Sequence, residues 1–408
     1  VGARSAARDG APAVAVTSAS IERSATTAKI VFDLNRPVAV DAYVLADPSR
    51  VVVELPEAAF LIDPANGRAP SPRGKSESAP LVPSFRFGQF APGRSRIVFD
   101  LAEPARIVKA TAEPTQSGGA ARLVVELAQT PADSFRAAAR AARAAQLQKA
   151  PARDEPIAPP QEQAKPLIVI DAGHGGVDMG AVGAKSINEK DIVLDVARRL
   201  AAKLEAGGRA RTLLTRTGDE FVPLGDRVKM ARKANAKLFL SIHADMLNEV
   251  SVHGATVYTV SDRASDAEAA RVAATENAAD KAGGMADSEE IGDVSDILFD
   301  LTRRETRAIG HQFATSLIDF WKAAGDSNKN PVRSAGFVVL KAPDVPSVLL
   351  ELGYLSNERD LAKLTSEAWR QTAADRIAHA VERYFSRSAA GVEEKTPRPE
   401  LSAGLAGR

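Results

Sequence analysis

Two patterns of apolar and polar residues divide the chain into two main regions. Residues 13–130 contain short apolar alternations, such as Lys29–Leu34 and Arg50–Leu55, which are bounded by Pro, Asn, Asp and Gly. Such short alternation is typical of half-buried strands, so this region is predicted to be all-β. In residues 167–387, short apolar runs alternate with helical patterns, which predicts an α/β domain.

The all-β region contains an internal repeat. Ile30–Leu34 recurs as Ile97–Leu101, 67 positions later, and Val51–Leu55 recurs as Leu123–Leu127, 72 positions later. Strands of unrelated origin also favour similar residues, but the shared order of both blocks favours a true repeat. Two copies of one β unit predict a symmetric sandwich.

The second region is predicted to form an open, mostly parallel sheet flanked by helices. Its apolar runs are short and rich in β-branched residues, as a sheet covered on both faces requires. The predicted strands are Leu167–Asp171, Ala210–Leu214, Leu238–Ile242, Ala255–Tyr258, Phe337–Leu340 and Ser347–Glu351. Ile192, Val196 and Leu200 recur at helical spacing before Gly207 and Gly208, which are typical of a helix end.

Two further segments differ from both domains in composition. Residues 131–166 are rich first in Ala, Arg and Gln and then in Pro, which predicts a linker that starts as a frayed helix and continues as extended chain. Residues 388–408 are expected to be disordered.

Composition limits the chemistry. A net charge of +1 over 408 residues gives no electrostatic basis for nucleic-acid binding. No apolar run approaches the length of a membrane span. The chain has no cysteine and five histidines, so any bound metal must be held by His, Asp and Glu. Because residue 1 is Val, we expect that an export signal has been removed.

Three polar residues lie where predicted strands end, and a fourth lies on the helix that follows one of them. His174 follows the first strand within Asp171–Gly176, His243 and Glu351 end two further strands, and Glu189 opens the next helix. In open α/β sheets, ligands bind at the carboxyl ends of strands. Two imidazoles, one carboxylate and a water make a tetrahedral zinc site with an open catalytic position.

Each of these residues also has a purely structural explanation. A glycine-rich turn, a carboxylate that complements a helix dipole, and a buried histidine all occur without a metal. Their convergence at one sheet edge favours metal binding. Of the other histidines, His253 is a candidate for a neighbouring or substrate-contacting role, whereas His311 and His379 fit ordinary helical positions.

Residues 167–385 resemble the zinc-dependent amidases of the cell-division type, which cleave N-acetylmuramoyl-L-alanine bonds. The resemblance rests on six blocks in order: Ile170–Gly176, Glu189–Asp191, Leu214–Thr217 with Asp219, Pro223–Leu224 with Arg227, Ser241–Asp245, and Pro346–Asn357. It implies that His174, Glu189 and His243 bind one Zn²⁺ and that Glu351 is the catalytic carboxylate. Ala172 and Asp245 depart from the family's usual Pro and Asn without removing a ligand.

The N-terminal repeat resembles the AMIN domain, which targets such amidases to peptidoglycan at the division site. Together the two resemblances imply a periplasmic enzyme that acts on peptidoglycan in daughter-cell separation and responds to a LytM-domain activator. We also expect the chain to be a monomer. Two alternatives remain open from the residues alone. One is a zinc peptidase that cleaves the stem peptide, and the other is a non-catalytic wall-binding scaffold.

A long insertion, residues 262–325, is predicted to contain two helices, Asp262–Lys281 and Val294–Ala323. In the amidases that this chain resembles, an inserted helix covers the active site and an acidic side chain occupies the zinc. Our candidate for that ligand is Glu276, followed by Glu289 and Glu290. The alternative is that these acidic residues form a solvated helix face.

Overall fold

The computed structural model describes residues 14–67, 79–91, 93–115, 119–149, 165–285 and 297–393. None of the helices in these ranges combines the length and apolar character that a membrane span needs. The predicted division into an all-β domain and an α/β domain is confirmed.

The described part of the N-terminal domain is a sandwich of two mostly antiparallel sheets. Its strands are β1 (Val14–Arg23), β2 (Thr27–Leu34), β3 (Asp41–Leu45), β4 (Arg50–Pro56), β5 (Ala58–Phe60), β6 (Ser84–Ala91), β7 (Arg94–Asp100), β8 (Ala105–Pro114) and β9 (Ala121–Gln129). One sheet has the order β5-β1-β2-β9-β8, and the other has the order β3-β4-β7-β6. Phe32 and Phe99 meet between the sheets, with ring centroids 6.3 Å apart.

The internal repeat is visible as a two-fold arrangement in which the copies exchange strands. Strand β2 of the first copy pairs with β9 of the second, with Ile30 opposite Val125. Strand β7 of the second copy pairs with β4 of the first, with Ile97 opposite Val53. These are equivalent positions of the repeat, so each sheet contains one matched pair of strands from both copies.

Helix α1 (Ala132–Lys149) packs on this sandwich. Phe135 and Ala139 are buried in the same apolar core as the strands. The expectation of a frayed helix at the start of a linker is therefore wrong for this segment. Its Ala- and Arg-rich composition gave no sign that Phe135 anchors the helix to the sandwich.

The α/β domain contains a six-stranded sheet of order β11-β10-β12-β15-β13-β14 within the described residues. The strands are β10 (Leu167–Ala172), β11 (Arg211–Leu214), β12 (Leu238–His243), β13 (Ala255–Val260), β14 (Ser327–Ala335) and β15 (Ser347–Glu351). Strands β11, β10, β12 and β15 are parallel, and β13 runs antiparallel to β15.

Helices cover both faces of the sheet. They are α2 (Glu189–Gly207), α3 (Leu224–Lys233), α4 (Ala267–Asn277), α5 (Ala279–Ala282), α6 (Ile297–Trp321), α7 (Glu358–Leu364) and α8 (Glu367–Glu393). Ile168 and Ile170 face the core shared with α2, α6 and α8, whereas Val169 faces the core shared with α3 and α4. This alternation is the period-two pattern of a strand buried on both faces.

Three expectations need correction. Phe337–Leu340 is not a strand: Val338–Leu340 forms a 3₁₀ turn, and the edge strand is the polar segment β14. A short apolar run does not distinguish a strand from any other buried segment. Helix α8 continues past residue 388 to Glu393, so the expected disorder does not begin there. The first helix predicted in the insertion is split into α4 and α5.

Candidate metal centre

The centre lies at the carboxyl edge of the three central parallel strands. His243 and Glu351 are register partners at the ends of β12 and β15. The amide of Gly173, just beyond β10, donates to the Ile242 carbonyl at 3.1 Å and so brings the following loop against β12. Neighbouring strands are about 4.8 Å apart, so these strand ends converge as predicted.

His174 occupies a tight loop and has a backbone conformation that few residues adopt. Its φ is 59°, in the left-handed region, which is costly for a residue with a β-carbon and is often found at functional sites. Its Nδ1 lies 2.9 Å from Asp178 Oδ2, and the amide of Gly180 donates to Asp178 Oδ1 at 3.2 Å. Asp178 therefore fixes the ring so that Nε2 faces the centre.

Glu189 lies at the first position of α2, and two backbone amides hold its carboxylate. Ala181 N donates to Oε2 at 2.9 Å, and Ala244 N donates to Oε1 at 2.7 Å. The same oxygens lie 3.1 Å from His174 Nε2 and 3.2 Å from His243 Nδ1. Burial would raise the pKa of Glu189, but the adjoining imidazoles hold it well below its ordinary value.

Glu276 reaches the same point from the last turn of α4. Its Oε2 lies 3.0 Å from His243 Nδ1 and 3.5 Å from His174 Nε2. Burial opposes charge on His243, but the carboxylates of Glu276 and Glu189 raise its pKa to about 10. We call the side chains of His174, Glu189, His243 and Glu276 the donor cluster.

Helix α4 is built to place Glu276 there. Asp266 caps its start by accepting a hydrogen bond from Ala269 N at 2.9 Å. Ala269, Val272 and Ala273 are buried on one face, and Glu276 follows on the same face at helical spacing. At the last residue of the helix, the Asn277 side chain donates to the carbonyl of Gly336 at 3.0 Å and accepts from Val338 N at 2.8 Å.

The donor cluster fits a tetrahedral cation. Metal bonds of about 2.0–2.2 Å place neighbouring tetrahedral ligands about 3.3–3.6 Å apart, and the four His–carboxylate separations are 3.0–3.5 Å. His174 Nε2, His243 Nδ1 and Glu276 Oε1 are buried and make no hydrogen bond. Such groups are costly unless partnered, and a cation held between the two imidazoles and the Glu276 Oε2 would partner both ring nitrogens. Within the described residues, His174, His243 and Glu276 form a group that can hold a metal ion.

Glu351 lies beside this cluster with one oxygen fixed and one free of partners. Asp245 N donates to Oε2 at 3.0 Å, while the buried Oε1 makes no hydrogen bond. Burial, reinforced by the nearby carboxylate of Asp245, raises the pKa of Glu351 well above its ordinary value. Burial together with Glu276 also raises the pKa of Asp245 to about 7.

Two buried arginines hold the loop that contains His174. Arg216 donates to the carbonyls of Ala172 and Gly173 at 2.9 and 2.8 Å, and Arg227 donates to that of His174 at 2.8 Å. Arg227 also pairs with the buried Asp171 at 2.7 Å. These arginines belong to the sequence blocks named above, but the sequence did not indicate what they contact.

The structure brings His174, Glu189, His243, Glu276 and Glu351 together. Asp178 was missed by the sequence analysis; its position four residues after His174, in a glycine-rich loop, is the signal that could have indicated it. His311 and His379 are exposed on helices, and His253 contacts the carbonyl of Ser251 in its own loop at 3.0 Å. Glu289 and Glu290 lie outside the described residues.

Comparisons with known proteins identify one family. Residues 168–383 match the family described as N-acetylmuramoyl-L-alanine amidase, and residues 18–127 match the AMIN domain. The chain is 34% identical over 371 residues to N-acetylmuramoyl-L-alanine amidase AmiC of Escherichia coli O6:H1, covering 88% of this chain and 87% of that protein. It is 31% identical to AmiC of Neisseria meningitidis serogroup B, covering 91% and 90%. The solved structure of AmiC2 of Nostoc punctiforme is 28% identical, with a TM-score of 0.39, and covers 55% of this chain and 99% of that one.

Proposed function

The chain belongs to the N-acetylmuramoyl-L-alanine amidase family, and we propose that His174, Glu189 and His243 form the catalytic centre together with Glu351. As a member of this family it hydrolyses the amide bond between N-acetylmuramic acid and L-alanine in peptidoglycan, for cell-wall remodelling and cell separation. One observation carries the assignment of the centre. Both imidazoles lie within 3.2 Å of the Glu189 carboxylate at the carboxyl edge of the sheet.

His174, Glu189 and His243 would hold a zinc ion, because two imidazoles and one carboxylate leave an open position for substrate chemistry. Zinc would supply Lewis-acid chemistry, making water acidic enough to ionise near neutral pH and stabilising negative charge on oxygen. Asp178 keeps the imidazole of His174 in the tautomer that presents Nε2 to the metal.

Glu351 moves the proton in this mechanism. Its Oε1, buried and without a hydrogen-bond partner, accepts a proton from the water that attacks the amide carbon. It then returns that proton to the departing nitrogen of L-alanine. The products are a free lactyl carboxylate on muramic acid and a peptide with a free amine. Asp245 N holds the other oxygen, so the carboxylate keeps its orientation through both transfers.

The test compares Glu351→Gln with Glu358→Gln, which alters an exposed carboxylate at the start of α7. Both proteins are expected to bind one zinc ion. Only Glu351→Gln is expected to lose release of stem peptides with a free L-alanine amine from purified sacculi. Full activity in a zinc-loaded Glu351→Gln protein would contradict the proposal. Cleavage within the stem would instead favour the peptidase alternative, and wild-type binding without any release would favour the scaffold.

Glu276 gives the centre a built-in block. An acidic side chain within 3.0–3.5 Å of both imidazoles occupies the position that the attacking water and the substrate need. The enzyme is then autoinhibited as isolated, and a LytM-domain activator turns it on by drawing α4 away. This role follows the expectation from the family and is supported by the burial of Glu276.

The location and recruitment of the enzyme follow from its substrate and its first domain. Peptidoglycan is reached in the periplasm, and the AMIN domain recruits the chain to the division site. Co-sedimentation of the full chain with sacculi measures this binding. It is expected to persist in Glu351→Gln, because the catalytic carboxylate lies in the other domain.

A further inference from the structure

Three arginines of the β-sandwich lie against the chain that directly follows α4, residues 279–285, which we call the anchor segment. Arg50 donates to the carbonyls of Lys281 and Met285. Arg86 donates to the carbonyl of Ala282 at 2.7 Å. The third, Arg96, donates to the carbonyls of Gly283 and Gly284, each at 3.0 Å. The main chain of the anchor segment is therefore held from the other domain.

These carbonyls belong to the end of α5 and the residues after it, and that of Lys281 also accepts a hydrogen bond from Gly284 N at 3.0 Å. The last turn of α5 and the residues after it expose oxygens that carry partial negative charge. A guanidinium group is positively charged and so is attracted to these partly negative oxygens. Its hydrogen bonds are stronger than those between two neutral groups. Glu54 orients Arg96 by accepting its Nε–H at 2.8 Å, and Asp100 orients Arg86 at 2.6 Å.

An apolar contact surrounds the arginines. Tyr43, Leu45, Val52, Phe90 and Val98 of the β3-β4-β7-β6 sheet form one buried cluster with Val177 and Phe221 of the α/β domain. The rings of Phe90 and Phe221 stack with centroids 5.8 Å apart. Because Arg50 and Arg96 are 1% and 5% exposed, this contact excludes water from their hydrogen bonds.

Two glycines let the anchor segment fit between the domains. A β-carbon at Gly284 would lie 3.0 Å from Val98 and 3.1 Å from Val52, and one at Gly283 would lie 2.3 Å from the Phe221 ring. Gly284 also has a φ of +70°, which glycine adopts without strain. The segment thus matches the sheet surface in shape as well as in charge.

The anchor segment is directly connected to the blocking helix. Only Asn277 and Ala278 separate Glu276 from it. Asp280 accepts a hydrogen bond from Leu224 N at 2.8 Å, so the segment also contacts the α/β domain. Any movement that draws Glu276 out of the donor cluster must displace this segment from the arginines or bend the chain between them.

We propose that the outer face of the β3-β4-β7-β6 sheet is a docking surface for the anchor segment, and that this docking holds Glu276 against the two imidazoles. The AMIN domain then restrains the enzyme's own active site in addition to recruiting it. The proposal rests on the proposed function in one respect, namely that Glu276 is the blocking group. The docking itself does not depend on that role.

The first test uses the absence of native cysteine. The pair Val52→Cys and Gly284→Cys places two thiols at the contact, within the reach of a disulfide. The control pair keeps Gly284→Cys and adds Val108→Cys, on β8 of the opposite sheet. Under mild oxidation we expect the first pair to lose both free thiols and the control to keep them. Because Gly284 has a φ of +70°, hydrogen exchange first checks that residues 269–285 of the Gly284→Cys protein stay as protected as in the wild type. Two free thiols in a protein that meets this condition would overturn the docking.

The second test removes the arginines and leaves the glycines intact. Arg50, Arg86 and Arg96 are replaced together by Ala, with Arg122→Ala, an exposed position on β9, as control. Hydrogen exchange of the full chain is expected to quicken at least ten-fold in residues 269–285 of the triple variant, while β2 and β9 stay protected. Protected β2 and β9 amides show that the sandwich is folded, and unchanged exchange in residues 269–285 would then overturn the proposal.

The basal hydrolysis of sacculi by the same proteins distinguishes the docking of the anchor segment from the block by Glu276. Faster exchange with raised basal hydrolysis in both the triple variant and Glu276→Ala supports docking and block together. Faster exchange with no gain in either variant supports the docking and refutes Glu276 as the block. A gain in Glu276→Ala alone, with unchanged exchange in the triple variant, refutes the docking and leaves the block standing.

Discussion

Glu276 Oε2 lies 3.0 Å from His243 Nδ1, so a carboxylate from an inserted helix meets the imidazole at the end of a central strand. The two residues belong to different parts of the fold, one of which can move without unfolding the other. His243 is part of the sheet core, whereas Glu276 is on a helix between connecting segments. A contact of this kind can be broken without unfolding the sheet, which is what a reversible block requires.

Replacement of Glu276 by Ala is expected to raise basal hydrolysis of sacculi. A charge-assisted contact contributes about 1.5–3 kcal/mol, which corresponds to about a 13- to 160-fold change in the population of the open centre. Dye release from labelled sacculi without activator measures the gain. Thr275→Ala, an exposed neighbour on α4, should leave the rate unchanged. Equal rates for Glu276→Ala and wild type would argue against the block.

The position of Glu276 shows which features of the site can be predicted from the sequence. Ala269, Val272, Ala273 and Glu276 follow helical spacing, so the sequence pattern alone is sufficient to identify a carboxylate at a core position. What that carboxylate faces depends on how α4 crosses the sheet, so only the family resemblance, and not the residue pattern, indicated Glu276 as a ligand. The sequence also gives no sign of what the arginines on the β-sandwich contact, because their partners are main-chain carbonyls, which every residue possesses.

The strands of the six-stranded sheet also differ in how well the sequence predicts them. Strands β10, β12 and β15 are buried on both faces, and their apolar runs predicted them together with the polar residues at their ends. Strand β14 is an edge strand with the sequence SNKNPVRSA, which has neither an apolar run nor a strict alternation. Its pairing with β13 comes from tertiary context, which a local pattern does not contain.

Zinc is expected to stabilise the α/β domain against heat. Binding to the folded state alone at 100 times the dissociation constant adds about 2.7 kcal/mol, equivalent to about 5–10 °C in Tm for a domain of this size. Scanning calorimetry with zinc and with a chelator measures the difference. His174→Ala should remove the shift, whereas His253→Ala should keep it. A shift that survives in His174→Ala would place the metal elsewhere.

Asp178 is expected to act on the metal through His174. Its contact with Nδ1 sets the tautomer and the ring orientation, and loss of such a partner lowers metal affinity about 10- to 100-fold. Competition with a zinc-binding dye measures the affinity of Asp178→Ala. The control, Asp226→Ala, removes an exposed carboxylate near the start of α3. Unchanged affinity in a folded Asp178→Ala protein would rule out this role.

Gly173 sets how closely the loop after β10 approaches His243. A β-carbon there would lie 2.4 Å from His243 Cε1 and 2.5 Å from Nε2, so Gly173→Ala must displace the imidazole from the donor cluster. We expect zinc affinity to fall at least about ten-fold, comparable to the loss of an orienting partner.

Gly225→Ala is the matched control, because nothing lies within 4 Å of a β-carbon in that position of α3. Alanine favours a helix by up to about 1 kcal/mol over glycine, so this variant should bind zinc normally and unfold at an equal or higher temperature. Normal zinc binding by Gly173→Ala would mean that His243 can move without leaving the metal, and the close packing of loop and ring would then have no part in building the site.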